Sequence, residues 1–144
     1  MNRLMEDAIR MQSGALEKRG LVIHKELDPG LPKLLIDRNR LIQVIVNIVK
    51  NGYEAIDASG KGENSIVFHS FSKDGGLGFE ITDSGIGMAP GEEEKIFEFG
   101  ESSKGSSGFG LYYCKMFVEA NKGSFEIKSP GEGKGATVRV VFGI

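Results

Sequence analysis

One cysteine in 144 residues leaves this chain without the means to form an internal disulfide, and tryptophan is absent altogether. Cys114 and the two histidines, His24 and His69, stand at none of the short spacings that build a zinc site. Neither sign of charge is in useful excess: 18 basic residues against 20 acidic ones leave a net charge of −2, which gives no general pull toward nucleic acid. No apolar run approaches the roughly 20 residues of a membrane-spanning helix, and Met1–Gly20 lacks the apolar stretch of a signal peptide. The absences predict a cytoplasmic domain that contacts neither nucleic acid nor membrane.

What is present suits one ordinary globular unit over residues 1–144. Hydrophobic residues make up 40% and charged residues 26%, enough for one core and not for two. Glycine is distributed unevenly: 15 of the 21 lie at or beyond Gly75, several only one or two residues apart. Turns account for some of them. The others require the backbone to pass close to something.

Along the chain, Leu4, Met5, Ala8, Ile9, Met11, Ala15 and Leu16 have helical spacing and predict one amphipathic helix over Asn2–Lys18, ended by Gly20. Leu21–Leu27 and Leu34–Ile36 read as short strands around the turn residues Asp28-Pro29-Gly30. Asp37 is a candidate N-cap for the strongest helix, about Arg38–Asp57, with Leu41, Val44, Ile45, Ile48, Ala55 and Ile56 on its core stripe. Ser65–Phe71 and Leu77–Thr82 alternate as two strands of a hairpin turning at Lys73-Asp74-Gly75-Gly76. A long turn-rich stretch, Asp83–Gly108, holds only a short acidic helical piece near Glu92–Phe97 and has the length of a functional lid. A second helix over Gly108–Asn121 and a second hairpin from Ser124–Ser129 and Gly135–Phe142 complete an α+β fold. Its expected architecture is a two-layer sandwich, a mixed and mostly antiparallel sheet covered on one face by helices.

Three places carry chemistry. Gln43, Asn47, Asn51 and Glu54 form one polar stripe on the long helix. Two asparagines a turn apart offer side-chain carbonyls to a hard cation such as Mg²⁺; the alternative is a solvated helix face. Asparagine competes with the helix backbone for hydrogen bonds, so two inside a strong helix need a reason. Asp83-Ser84-Gly85-Ile86-Gly87-Met88 follows a strand, where a carboxylate could accept from an exocyclic amine and the glycines could turn the backbone under a flat ring. The alternative there is a tight turn with a capping aspartate. Gly105-Ser106-Ser107-Gly108-Phe109-Gly110-Leu111 opens a helix, whose free amides and dipole favour phosphate, with Lys104 just upstream as a point charge. No Walker-type phosphate loop occurs anywhere; Gly131–Thr137 is a hairpin turn.

The order of these pieces resembles the GHKL, or Bergerat, ATP-binding fold of gyrase-type topoisomerases, large heat-shock chaperones, histidine kinases and mismatch-repair ATPases. In detail it resembles the catalytic domain of sensor histidine kinases. Asp37 with Arg40–Val44, leading into Asn47-Ile48-Val49-Lys50-Asn51-Gly52-Tyr53-Glu54-Ala55, is similar to that family's N box. Asp83–Met88 is similar to its G1 box, Lys95–Glu98 through Ser102–Lys104 to its F box, and Ser106–Leu111 to its G2 box. The resemblance runs over nearly the whole chain, from about Asn2 to Phe142.

The resemblance implies Mg·ATP as ligand. Asn51 and Asn47 would hold Mg²⁺, with Glu54 on the same stripe. Asp83 would take the adenine amino group, supported by Thr137, in a pocket shaped by Gly85, Ile86 and Gly87. Lys104 and Ser107, Gly108, Phe109, Gly110 and Leu111 would hold the triphosphate under a lid at residues 88–107, and Asn47 and Lys104 would act in catalysis. A gyrase-like member would carry a water-activating glutamate at the position of Asn47, so the asparagine implies transfer rather than hydrolysis.

Three positions depart from the family pattern: Gly52 replaces the usual alanine, Gly100-Glu101 a phenylalanine pair, and Ser106 a glycine. The implied partners are a helical phosphoacceptor and dimerisation domain outside this chain and a response regulator. The isolated domain would be a monomer, residues 1–18 a linker-proximal helix, and the full kinase could be membrane-anchored. An anti-sigma-type serine kinase and a degenerate nucleotide-binding module are the competing readings. Neither His24, in a strand pattern, nor His69 suits the acceptor role.

Overall fold

Apolar residues at every second position of the strand segments become one buried sheet face. The computed structural model describes residues 1–60, 64–89, 91–92 and 108–143. Its elements are α1 (Asn2–Met11), α2 (Ser13–Lys18), β1 (Val22–Glu26), α3 (Arg38–Ser59), β2 (Ser65–Lys73), β3 (Gly76–Asp83), α4 (Gly108–Ala120), β4 (Gly123–Lys128) and β5 (Ala136–Phe142). The strands lie in the order β1-β2-β3-β5-β4. β1 runs parallel to β2, and the β2–β3, β3–β5 and β5–β4 pairings are antiparallel. The sheet is therefore mixed and mostly antiparallel, as the alternation predicts.

The buried face consists of Ile66 and Phe68 of β2, Leu77, Phe79 and Ile81 of β3, Phe125 and Ile127 of β4, and Val138, Val140 and Phe142 of β5. Against it lie Leu41, Val44, Ile45, Ile48 and Ile56 of α3, joined by Leu111, Cys114 and Val118 of α4. Asp37 caps α3 as expected, its carboxylate accepting from the Arg40 amide at 3.1 Å. The opposite sheet face is polar. There Glu80 accepts from Arg139 at 2.7 Å and lies 3.1 Å from His69 Nδ1, while the Arg139 guanidinium stacks 4.5 Å from the Phe71 ring centroid.

The structure departs from the sequence pattern in the first 37 residues. The expected single helix breaks at Gln12, whose φ of −102° and ψ of 6° leave the helix. Its side-chain amide donates to the Val46 carbonyl of α3 at 3.2 Å, so the break gains a tertiary hydrogen bond. The segment also packs into the core. Leu4, Met5, Ala8 and Leu16 are core residues, and Arg19 grips Asp57 with Nε 3.0 Å from both carboxylate oxygens while its guanidinium lies 4.1 Å from the Tyr53 ring centroid. Leu34–Ile36 form no strand. Pro29 and Pro32 remove amide donors from this stretch. Leu34 and Ile36 instead anchor a loop against the core, while Leu35 is fully exposed.

Met5 is fully buried between this segment and α3, so Met5→Ala should lower stability by about 2–4 kcal/mol in urea unfolding. Burial alone would raise the Glu80 carboxyl, but its bonds to Arg139 and His69 outweigh that and hold it below its ordinary value. A lowered acid stabilises the fold above its unfolded value and loses that contribution as pH falls through the folded one. Glu80→Gln should therefore cost about 0.5–1 kcal/mol at pH 7, and its unfolding midpoint should converge on that of the wild type in acid.

Candidate functional site

The polar stripe of α3 lies at the margin of its buried face. Asn47, Asn51 and Glu54 are half-buried and Gln43 is exposed, its Nε2 donating to Asn47 Oδ1 at 3.3 Å. Alternation in β3 sends Leu77, Phe79 and Ile81 inward, and Asp83 follows them, a buried polar residue only 8% exposed. Its Oδ1 accepts from the Gly85 amide at 2.8 Å, which bends the chain directly after the strand. Beside it is Gly52, next to Asn51 on α3. A Cβ added there would stand 3.4 Å from Asp83 Cβ and 3.8 Å from Oδ2. Asp83 and Gly52 thus face each other with no side chain on the glycine between them.

The turn after Asp83 is wedged between α3 and the β4–β5 connection. A side chain on Gly85 would meet the Ala55 backbone at 2.6 Å, and the Ile86 amide donates to the Ala55 carbonyl at 3.1 Å. On the other side, Gly135 donates to Gly85 O at 3.0 Å and Gly133 to Ile86 O at 2.5 Å. Gly87 adopts a φ of +68°, and a Cβ on it would overlap the Gly131 carbonyl. The Ser129 hydroxyl accepts from the Met88 amide at 3.0 Å and reaches Gly135 O at 2.7 Å. Ser129 and Gly135 were not among the expected site residues. In sequence they announce only a turn, and their link to Gly85–Met88 spans more than 40 residues.

Thr137 is placed elsewhere. Its hydroxyl lies 2.9 Å from that of Thr82, its ladder partner, on the sheet face away from the helices. The residue paired with Asp83 is Ala136. Adjacent strand residues point to opposite faces, so a one-residue difference separates Thr137 from the carboxylate it was expected to support.

Gly108, Phe109, Gly110 and Leu111 form the first turn of α4. A Cβ on Gly110 would be 3.9 Å from Asn47 Cγ, which brings the positive end of the α4 dipole beside the asparagine stripe. Leu111 is 2% exposed and its side chain packs in the core, leaving its backbone to the site. Lys104, Ser107 and the expected lid lie outside the described residues, apart from Met88, Ala89, Gly91 and Glu92. Met88 and Cys114 are buried packing residues. His24 is exposed on β1, and His69 is bound to Glu80 on the far face of the sheet.

The described residues fit a metal–nucleotide. A carboxylate closes a slot that glycine leaves open, amide carbonyls line an adjacent helix, and a helix N-terminus faces them. Comparison with known proteins supports the nucleotide part of that fit. A sequence profile described as "Histidine kinase-, DNA gyrase B-, and HSP90-like ATPase" matches residues 36–143, and the chain belongs to that family. The family implies ATP binding. The cell-division control histidine kinase PdhS of Brucella ovis is 27% identical over 99% of this chain, which spans about 15% of that protein's length. The fold is shared with the catalytic domain of histidine kinase ThkA, with a TM-score of 0.85, 21% identity and coverage of 99% of this chain and 91% of that one. It is also shared with the mycobacterial sensor histidine kinase MprB, with a TM-score of 0.82, 21% identity, and 99% and 93% coverage.

The two glycines flanking Asp83 should respond in opposite directions. Gly52→Ala meets only ordinary contacts and should raise helix stability by about 1 kcal/mol. Gly85→Ala, driven into the Ala55 backbone, should cost about 1–3 kcal/mol. Chemical denaturation of the two variants separates them.

Proposed function

We propose that this chain is the catalytic ATP-binding domain of a sensor histidine kinase. It would hold Mg·ATP and donate the γ-phosphate to a histidine on a separate helical dimerisation and phosphoacceptor domain. Two approaches to α3 support the reading: buried Asp83 lies against Gly52, and Gly110 of the first turn of α4 lies against Asn47. Asp83 would accept from the adenine amine, in a pocket whose walls are Gly85, Ile86 and Gly87. Asn51 and Asn47, with Glu54 beside them, would hold Mg²⁺, whose charge offsets that of the phosphates. The α4 amides, with Lys104 and Ser107, would cradle the triphosphate.

The chain's residues then act by binding and orientation, with little acid–base work of their own. Asn47 stands where a hydrolysing relative needs a glutamate, which favours transfer to an incoming nucleophile over attack by water. A neutral imidazole supplies that nucleophile. Downstream, a response regulator would receive the phosphoryl group; ThkA is known in complex with the response regulator TrrA. No helix among the described residues is long and apolar enough to cross a membrane, and a cytoplasmic position would give the domain both ATP and regulator.

Calorimetric titration of Mg·ATP into the wild type and Asp83→Asn tests the pocket. The substituted amide keeps an oxygen that can cap Gly85, so the variant should fold and yet bind roughly 10- to 100-fold more weakly, the value of a hydrogen bond to a charged group. Equal affinity would remove Asp83 from the adenine site. Added helical acceptor domain should gain acid-labile phosphate from ATP, whereas acid-stable phosphoserine on a partner would make this a serine kinase.

A further inference from the structure

Asn51 is the one asparagine of the chain that a glycine follows. Asparagine is chemically labile, and the residue after it decides how labile. The backbone nitrogen of that residue can attack the asparagine Cγ, expel ammonia and close a succinimide ring, which water reopens to aspartate or isoaspartate. A following glycine leaves the nitrogen unshielded and the backbone free to bring it close. A β-branched side chain hinders both. Asn47, one turn earlier in the same polar stripe, is followed by Ile48. The two asparagines therefore share a helix and differ in what their successors allow.

Both lie inside α3, where the reaction is held off. Each helical amide is tied to the carbonyl four residues earlier, and ring closure would have to break that bond and rotate ψ out of the helical range. Gly52 is also buried, and a Cβ on it would touch Asp83 and Ile66 at 3.4 and 3.7 Å. Asparagine and glycine are poor helix formers, so packing rather than propensity holds α3 closed here. We infer that Asn51-Gly52 is a deamidation site that the fold keeps shut and that opening of α3 exposes. The conversion consumes one water and releases one ammonia, with no other reactant. Aspartate would place a full charge where a neutral amide stood. Isoaspartate routes the main chain through an extra carbon, which breaks the helical register ahead of Ala55, the residue against which the Gly85 turn rests. The chemistry does not depend on Asn51 binding magnesium; on that reading, the damage falls on the nucleotide site itself.

Peptide mass mapping tests the site. Tryptic cleavage after Arg40 and Lys50 places Asn47 and Asn51 on separate peptides. The domain is held at neutral pH in increasing urea, and the mass change from amide to acid is followed on each peptide against an unincubated digest. Asn51 should convert and Asn47 scarcely, with the Asn51 rate rising in step with the unfolded fraction. In urea below the transition, Gly85→Ala should react roughly 5- to 150-fold faster than the wild type, in proportion to its loss of stability. Gly52→Ala, whose methyl group shields the nitrogen, should react several times more slowly even when fully unfolded. Conversion as fast in the folded as in the unfolded chain overturns the gating. Equal conversion at Asn47 and Asn51, or none at Asn51 in the unfolded chain, overturns the site. If Gly85→Ala does not fold, the wild-type urea series decides the question alone. Mg·ATP at about 100 times its dissociation constant should slow Asn51 by about 100-fold below the transition. Absence of that protection, with the urea dependence intact, would overturn the nucleotide reading and leave the deamidation site standing.

Discussion

The site depends on one close approach, that of the turn after β3 to the backbone of α3. Gly85 lies where no side chain could fit against Ala55, and the Ile86 amide bonds to the Ala55 carbonyl. That contact sets the depth at which Asp83 ends the strand and its distance from Gly52. The β4–β5 connection closes the turn from behind, through Ser129, Gly133 and Gly135. A loop that would otherwise sample many conformations is thereby given one.

The helix α3 serves two purposes along its length. Its apolar stripe is the largest contribution of any described helix to the core, and the margin of that stripe carries Asn47, Asn51 and Glu54. Rigidity on one side supplies precision on the other. Side chains on a helix fixed by Leu41, Ile45 and Ile48 cannot drift relative to the sheet that ends in Asp83. The N-terminal helices add to this hold through the Gln12 bond to Val46 and the grip of Arg19 on Asp57 and Tyr53. A segment whose sequence reads as a separate leading helix is thus part of the support of the site.

Much of this was legible in the residues themselves. The α3 stripe, its Asp37 cap, the hairpin at Asp74-Gly75 and the alternating strands follow from local periods of 3.6 and 2. The order of polar residue types marked the candidate positions. What escaped was information that is not local. Thr137 and Ala136 are equally plausible neighbours of Asp83 until the β3–β5 register is known, and then their faces are opposite. Gln12 leaves a helical pattern for a bond to a carbonyl 34 residues away. Leu34–Ile36 are apolar enough for a strand, but the prolines before them and the loop's own anchoring to the core decide otherwise.

Because α3 supplies both core residues and the Gly52 wall of the space beside Asp83, that space has no counterpart in the unfolded chain. Any molecule that occupies it adds its binding energy to the stability of the whole domain, about 4 kcal/mol at a thousandfold excess over its dissociation constant. For a site of adenine type, that ties the domain's survival against proteases to the energy charge of its surroundings. A starved cell would lose the domain along with the fuel, and a well-fed one would keep both.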